Sequence, residues 1–413
     1  MNKPLLLPLD DALAQLLGHA QALGAIDHVA TMQADGRVLA ADCVAELNVP
    51  SFDNSAMDGY AFNCQDWAAT QGILKLGQRI PAGSAPSELQ AGHAARIFTG
   101  APVPHGADAV VMQEDCVVLD DGRVQIQTPP KPGQCIRQQC EDIAQGQVVL
   151  PKGLRLTPAS LGLAASIGLA QLPVHARPRV GLLSTGDELV MPGDLAPHQL
   201  PPGAIFNSNR FFLRALLERL GCVVTDLGNL PDKLAPTQAM LAQAAQQHDL
   251  ILTSGGVSVG EEDHVKPAVQ ALGELHLWAL AIKPGKPFAF GQLRRDDGST
   301  AHFIGLPGNP VSSLVTFMLL VRPFVSALQG VSSTTLQPFA MRADFVWPRA
   351  DKRREFLRVR RNAQGGLDLF DNQSSGVLTS AVWGDGLLDN PPGRTIAVGD
   401  PQVLNRPIRI TRI

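Results

Sequence analysis

Between residues 180 and 321 short apolar runs alternate with helical periods, and this alternation restricts the fold more than any other feature of the chain. Residues 180–183, 223–227, 250–253 and 302–305 read as buried strands, and 211–220, 236–247, 265–272 and 311–321 as helices. Parallel strands need long crossovers, which helices supply, so the region predicts a mostly parallel sheet covered on both faces. In such sheets ligands sit at the carboxyl ends of the strands.

Each of those ends carries a chemically marked loop. Thr185-Gly-Asp-Glu188 follows the first strand, Pro231-Asp232 the second, Gly255-Gly256 the third and Leu306-Pro-Gly-Asn-Pro310 the last. Two glycines let backbone approach a phosphate closely, and the N–H groups of a following helical turn offer it partial positive charge. The acidic run Glu261-Glu-Asp263 reads as that helix start. Pro310 suits a first helical position, which places Gly308 and Asn309 at a second helix N-terminus. Lys283-Pro-Gly-Lys286 sets two ammonium groups on one tight turn between extended runs at 277–282 and 288–293.

The flanking sequence is different in kind. Apolar residues at Leu13, Leu16, Leu17, Ala20 and Leu23 predict a helix over 10–23. Residues 38–62 read as an extended, proline-punctuated stretch. Its loop Asp53-Asn-Ser-Ala-Met-Asp58-Gly is consistent with turn geometry and with a functional role alike. Strands at 73–76, 94–98, 109–113, 116–119 and 124–127 predict a small β domain, and Arg137 and Asp142 read as a solvated surface pair. After a hinge at Arg177-Pro178 comes the alternating region, and beyond Phe339 the chain turns strand-like and arginine-rich. The arginines of 353–360 read as a solvated strand face, since no aromatic residues interleave to make a stacking platform for nucleic acid.

Composition removes several classes. A chain of 413 residues with 45% hydrophobic content builds full cores in about two to four domains. A net charge of −4 argues against a general grip on nucleic acid, so any anion must be bound locally. The six cysteines form no C-x-x-C pair and the ten histidines no ligand spacing, which predicts reduced thiols, no structural zinc and a cytoplasmic location. Pro8, Asp10 and Asp11 interrupt the apolar start as no secretory signal would allow. Residues 156–176 lack formal charge, but their Gly, Ala, Ser and Pro content predicts a short packed helix rather than a membrane span.

Asp187, Glu188, Asp232 and Asp263 share the crevice with glycine loops that favour phosphate. One carboxylate about 5 Å from a phosphate charge costs roughly 3 kcal/mol at an effective dielectric of about 20, against about 0.3–2 kcal/mol returned by a helix terminus. A divalent cation relieves the conflict, and oxygen ligands without a His or Cys pattern favour magnesium.

Asn54-Ser-Ala-Met-Asp-Gly-Tyr-Ala61, Thr99-Gly-Ala, Glu141-Asp-Ile143, Ser184-Thr-Gly-Asp-Glu-Leu189, Asn207-Ser-Asn209, Ser254-Gly-Gly-Val-Ser-Val-Gly260 with Asp263, Lys283-Pro-Gly-Lys-Pro287 and Pro307-Gly-Asn-Pro310 stand in one order along the chain. In this the sequence resembles the MoeA family of molybdopterin molybdenumtransferases, to which the E domain of gephyrin is related. The resemblance implies a multidomain α/β plus β fold. Its parts are a discontinuous linking domain (1–45 and 142–177), a β-rich domain (46–141), a MogA-like three-layer α/β domain (178–328) and a C-terminal β-barrel (329–413). It further implies a homodimer whose cleft lies between the α/β domain of one subunit and the β domain of the other.

The implied reaction takes adenylylated molybdopterin and molybdate as substrates, releases AMP with Mg2+ and leaves molybdenum on the dithiolene. Asp58 and Thr99 become candidates to act across the dimer interface. Asp142, Glu188, Asp232 and Asp263 are implied catalytic and metal-binding residues. Gly255, Gly256 and Ser258 would hold a phosphate, Lys283 and Lys286 would neutralise phosphate or molybdate, and Pro307, Gly308 and Pro310 would shape the molybdate site. Arg353, three before Phe356, would reach the cleft from the last domain, and Asp187 would cap its turn. Implied protein partners are the molybdopterin adenylyltransferase, since no second MogA-like copy is present, and proteins that mature molybdoenzymes. No nucleic acid or membrane partner is expected. Two departures bear on activity: Cys140 stands where the family carries glycine, and Ala279 where many members carry a basic residue. The competing expectation is a carrier or scaffold that holds molybdopterin without chemistry.

Overall fold

The computed structural model describes residues 6–230, 233–256, 264–333 and 339–407. At its centre is the alternating region. Its elements are β1 (Arg179–Thr185), α1 (Asn209–Arg219), β2 (Val223–Leu230), α2 (Leu234–Gln247), β3 (Leu250–Ser254), α3 (Val265–Leu272), β4 (Gly273–Ala279), β5 (Pro287–Arg294), β6 (Thr300–Leu306) and α4 (Pro310–Leu328). The sheet order is β2-β1-β3-β6-β5-β4. The first four strands run parallel, and β5 and β4 close the sheet antiparallel. All five residues of β3 are buried, as expected of a central strand covered on both faces.

Successive side chains leave a strand on opposite faces, and here they build two cores. Leu250 and Leu252 join Leu213 and Leu217 of α1 and Val315 and Phe324 of α4. Ile251 joins Leu241 and Ala245 of α2 with Val265 and Val269 of α3 on the other face. Fully burying a side chain of this size contributes about 1.5–3 kcal/mol. Helix α4 has 19 residues and enough apolar length to cross a membrane, yet 83% of its most apolar window is buried inside the protein. It is the core helix of this layer. A π-helical turn at Phe317–Val321 precedes Pro323, which has no N–H to give to the helical ladder.

The linking domain is discontinuous. Ile26–Ala30 pairs with Gln171–His175, and Cys43–Val44 with Val148–Leu150, around Leu39, Leu156, Leu172 and Val174. Within 156–176 the helix is limited to Pro158–Ser166, capped at both partners by the Thr157 and Ser160 hydroxyls. The N-terminal helix spans Leu9–Gly18 rather than continuing to Leu23. Leu9, Ala12 and Leu16 enter the α/β core, Ala20 packs against it from beyond the helix end, and the Leu23 N–H turns to the Leu328 carbonyl instead.

The β-rich domain is a six-stranded sheet in the order Ala109–Met112, Gly59–Phe62, His93–Ile97, Ile73–Ile80, Arg123–Ile126, Cys116–Val118. Tyr60 and Phe62 face one core, and Ala61 the other. The C-terminal sheet joins Phe339–Arg342, Arg354–Arg361, Gly386–Asn390 and Pro401–Pro407. It also takes in Ile282–Lys283, which runs parallel to Arg354–Arg361 and so ties the α/β layer to this domain. The expected solvated arginine face is corrected here. Residues 355–359 are buried, Arg358 is 1% exposed, and Arg354 is clamped by Asp389 and Asp10.

Cys140 adopts φ 58°, the left-handed region in which a side chain costs about 1–2 kcal/mol. Its side chain is exposed. Replacing Cys140 by Gly should therefore raise stability by about 0.5–1 kcal/mol, after the larger unfolded-state entropy of glycine is subtracted. A higher urea midpoint at constant slope would show it.

Candidate active site

A cavity of ≈ 420 Å³ opens at the carboxyl ends of β1, β3 and β6. Its wall includes Thr185, Glu188, Asn209, Ser254, Pro307, Gly308 and Pro310, which brings together four loops that lie 125 residues apart in sequence. Asn209 at the start of α1 joins them. Its side-chain amide donates to Ser254 Oγ at 2.7 Å and to the Gly308 carbonyl at 2.7 Å. Asn207 does the same for β1, donating to Ser184 Oγ at 2.9 Å. The amide oxygen of Asn209 is buried and has no hydrogen-bond partner among the described residues. A buried acceptor left in this state is costly unless a ligand donor meets it.

The Gly255-Gly256 turn is required by the same geometry. Both residues lie at positive φ, 95° and 68°. A Cβ on Gly256 would stand 2.6 Å from Val265 Cγ2, so only glycine lets the chain turn against α3 and β1 here. Ser258 and Asp263, expected beside this turn, lie outside the described residues, as does Asp232 and the acidic run 261–263. At the last loop Pro310 is the first residue of α4 and Asn309 caps it without a side-chain bond. One of the freed N–H groups, that of Val311, is taken by the Ser375 carbonyl at 2.9 Å, so the C-terminal domain shares this helix end.

Lys283 and Arg353 are brought together by carboxylates that sequence patterns did not single out. Lys283 Nζ lies 3.2 Å from Asp351 and 3.1 Å from Glu355, and Arg353 holds Asp351 through Nε and a terminal nitrogen. The Arg353 guanidinium holds the Asp351 carboxyl well below the usual range, opposed by partial burial. Glu355 is 1% exposed and also accepts from Trp347 Nε1 at 2.8 Å and Asn390 Nδ2 at 3.2 Å. A second cavity of ≈ 280 Å³ runs along Lys283, Pro284, Gln373, Ser374 and Arg358. Among the described residues Arg358 meets only neutral partners, Ser380 Oγ and the carbonyls of Phe356 and Ser374, and burial pushes its guanidinium down to about 10. Lys286 is exposed on the neighbouring turn. Asn207, Asn209, Asp351, Glu355 and Arg358 were given no site role from the sequence; the repeated amide of Asn207-Ser-Asn209 ahead of a helix was the available signal for the first two.

In the β-rich domain the 53–59 loop divides by residue. Asn54 and Ser55 are buried, with Ser55 Oγ donating to the Met57 carbonyl at 2.6 Å, so both serve the turn. Asp58 is exposed and accepts from the Thr99 hydroxyl at 2.7 Å and the Thr99 N–H at 2.8 Å. The hydroxyl first and then the N–H hold its carboxyl below the ordinary value. Asp142 is exposed on a loop whose N–H meets the Val49 carbonyl at 3.0 Å, and it makes no ion pair with Arg137 among the described residues. Asp58, Thr99 and Asp142 contribute nothing to the lining of the α/β cavity of their own chain. Among the described residues no group of three or more His, Cys, Asp or Glu side chains could hold a metal ion. Glu188 is the described carboxylate on the cavity wall, and Asp187 beside it is exposed.

Comparison with known proteins gives three family matches along the chain. Residues 7–168 match the MoeA N-terminal region (domain I and II), 181–327 a probable molybdopterin binding domain, and 340–401 the MoeA C-terminal region (domain IV). A molybdopterin molybdenumtransferase of Haemophilus influenzae is 44% identical over 79% of this chain and 78% of its own. One of Synechococcus elongatus is 36% identical over 92% and 94%. A molybdopterin biosynthesis MoeA protein of Pyrococcus horikoshii superposes with a TM-score of 0.82 at 27% identity, covering 97% of this chain and 99% of that one.

Two substitutions probe this geometry. Asn209→Ala removes both amide donors and should cost about 1–3 kcal/mol of stability, read from urea unfolding, because Ser254 and Gly308 lose their common partner. Thr99→Val should raise the Asp58 pKa toward the ordinary carboxylate value, with the backbone N–H keeping part of the depression. Carboxyl-carbon NMR titration reads this directly, and an unmoved Asp58 would refute the role given to the hydroxyl.

Proposed function

The chain belongs to the MoeA family of molybdopterin molybdenumtransferases, and on that premise we propose that it inserts molybdenum from molybdate into molybdopterin delivered as its adenylate, with release of AMP. The observation that carries this is the cavity at the carboxyl ends of β1, β3 and β6, walled by Thr185, Glu188, Ser254 and the start of α4, with the positive-φ turn Gly255-Gly256 following Ser254 directly and packing on Thr185. Backbone of that kind accepts phosphate at close range.

In this proposal Gly255, Gly256 and Ser258 receive the phosphate side of the substrate, and Pro307, Gly308 and Pro310 shape the wall beside it. Lys286 supplies the exposed ammonium. Lys283 and Arg353 already share Asp351, so an entering oxyanion competes with carboxylates there, and the two cations position rather than simply attract it. The Asn209 amide oxygen offers an acceptor to a donor of the substrate. Asp58, kept ionised by Thr99, suits orienting a water molecule better than carrying a proton.

Magnesium is part of the proposal through Glu188 with Asp232, Asp263 and Asp142. Glu188 offers the oxygen chemistry that a hard cation takes. Asp232 stands two residues past β2 and Asp263 two before α3 in sequence, and the described carboxylates alone do not complete a site. Bound there, the ion would neutralise phosphate oxygens.

We also propose a homodimer, because Asp58, Thr99 and Asp142 are exposed away from the cavity of their own chain and could enter that of a second copy. The six cysteines are all free, in keeping with a reducing cytoplasm. The molybdopterin adenylyltransferase is the expected supplier of substrate, with molybdoenzyme maturation proteins downstream.

AMP release from adenylylated molybdopterin, measured with and without molybdate and magnesium, tests the reaction. Turnover should need both and fall at least about a hundredfold in Glu188→Gln. Tight binding without release would establish the carrier instead. Mixing Asp58→Asn and Glu188→Gln subunits tests the shared site: if it is built across the dimer, the mixture should recover about a quarter of wild-type activity, and if not, none.

A further inference from the structure

A third cavity, a cleft of ≈ 390 Å³, lies at the C-terminal end of α4, where the linking domain meets the α/β layer. Five arginines line it, Arg37, Arg155, Arg177, Arg219 and Arg322, against the two carboxylates Asp35 and Glu218. Much of the nominal compensation is spent elsewhere. Glu218 is bound to Arg214 at 2.8 Å, and Arg37 is satisfied by Asp27 at 2.6 Å and the His175 carbonyl at 2.9 Å.

Among the described residues the remaining cations have no carboxylate partner. Arg155 meets there only neutral groups, the carbonyls of Gly36 at 2.9 Å and Leu220 at 3.5 Å and the Gln329 amide oxygen. Arg322, half-buried at the start of the last turns of α4, makes no side-chain hydrogen bond or ion pair among the described residues, and neither do Arg177 and Arg219 at the rim. Burial pushes both the Arg155 and the Arg322 guanidinium down, and for Arg155 the neighbouring Arg322 charge adds to this. His175 also lines the cleft, 9% exposed, with a ring nitrogen that has no partner. Two desolvated, mutually repelling guanidinium groups around a cleft cost stability when nothing answers them. Guanidinium forks match phosphate oxygens two at a time, and the volume is that of a small-ligand site.

We propose that this cleft is a phosphate-binding site, separate from the cavity used for molybdenum insertion, in which Arg322 and Arg155 hold the phosphate group and Arg177 and Arg219 guide it in. The ligand is inorganic phosphate or a terminal phosphate monoester. Because Arg155 and His175 belong to the linking domain and Arg219 and Arg322 to the α/β layer, the bound group bridges the two. The site stands independently of the reaction proposed above.

The test titrates the full chain with inorganic phosphate, and in a parallel arm with glycerol phosphate, at ionic strength held constant with chloride. Thermal midpoint and calorimetric Kd are read for wild type, Arg322→Gln, Arg177→Gln and Lys286→Gln. Wild type should be stabilised by phosphate, and Arg322→Gln should weaken Kd at least about tenfold while being no less stable than wild type without phosphate. Arg177→Gln should weaken it a few-fold, and Lys286→Gln should leave it unchanged. Tighter binding in the glycerol phosphate arm identifies a monoester as the ligand, and equal or weaker binding identifies the free ion. A wild type that responds no more to phosphate than to chloride, an Arg322→Gln protein that binds as wild type does, or a loss confined to Lys286→Gln overturns the proposal.

Discussion

One buried amide sets the shape of the active cavity. Asn209 reaches from the first turn of α1 to the end of β3 and to the loop before α4, so three elements from distant parts of the chain share one side chain. Strand ends in a parallel sheet would otherwise be free to splay, since ladder hydrogen bonds stop at Ser254 and Leu306. With the amide in place Gly255 follows, its N–H donating to the Leu306 carbonyl at 2.9 Å, and the glycine turn is pressed against Thr185 and Val265. The cavity is therefore a consequence of the sheet closing at its carboxyl end, and on its wall the Asn209 amide oxygen has no hydrogen-bond partner among the described residues.

A second constraint holds the C-terminal domain to the α/β layer. Glu355 is buried, and a buried carboxylate persists only when its oxygens are well supplied with donors. Trp347 and Asn390 provide two from its own domain, and Lys283 provides the charge from the α/β layer. The strand pairing of Ile282–Lys283 with Arg354–Arg361 places that ammonium correctly. Two lysines on one turn thus have different tasks, one locked in a domain contact and one exposed.

Electrostatics separates the two ends of α4. Near the start of α4, where the Gly285 turn packs on Ser312 and Thr316, the cations Lys283 and Arg353 are held by carboxylates, so their charge is already paired. At the arginine cleft the charges face one another with few partners, a state that only an anion relieves. The same core helix backs both, with Ser312 and Thr316 at the former and Arg322 at the latter.

The strand and helix alternation, the loops at 185–188 and 306–310 and the Gly255-Gly256 turn were legible in the sequence, because periodicity and glycine geometry act locally. Five strands of the β-rich sheet were legible for the same reason, whereas the sixth, Gly59–Phe62, lay in a stretch read only as extended, although Tyr60, Ala61 and Phe62 alternate between two cores. The N-terminal helix was read too long, since Ala20 packs on the core from beyond the helix end and the Leu23 N–H is taken by the Leu328 carbonyl rather than by a helical partner. Arg358 was read as solvated because a strand buried on both faces has no alternation to reveal it. What only tertiary structure decided is which charges meet: that Asp351 joins Lys283 to Arg353, that Asn209 ties Ser254 to Gly308, and that Arg155 and Arg322, 167 residues apart, face one cleft. Local sequence determines where backbone turns and which faces are apolar. Partners of polar groups are set by chain crossings, and no local pattern records those.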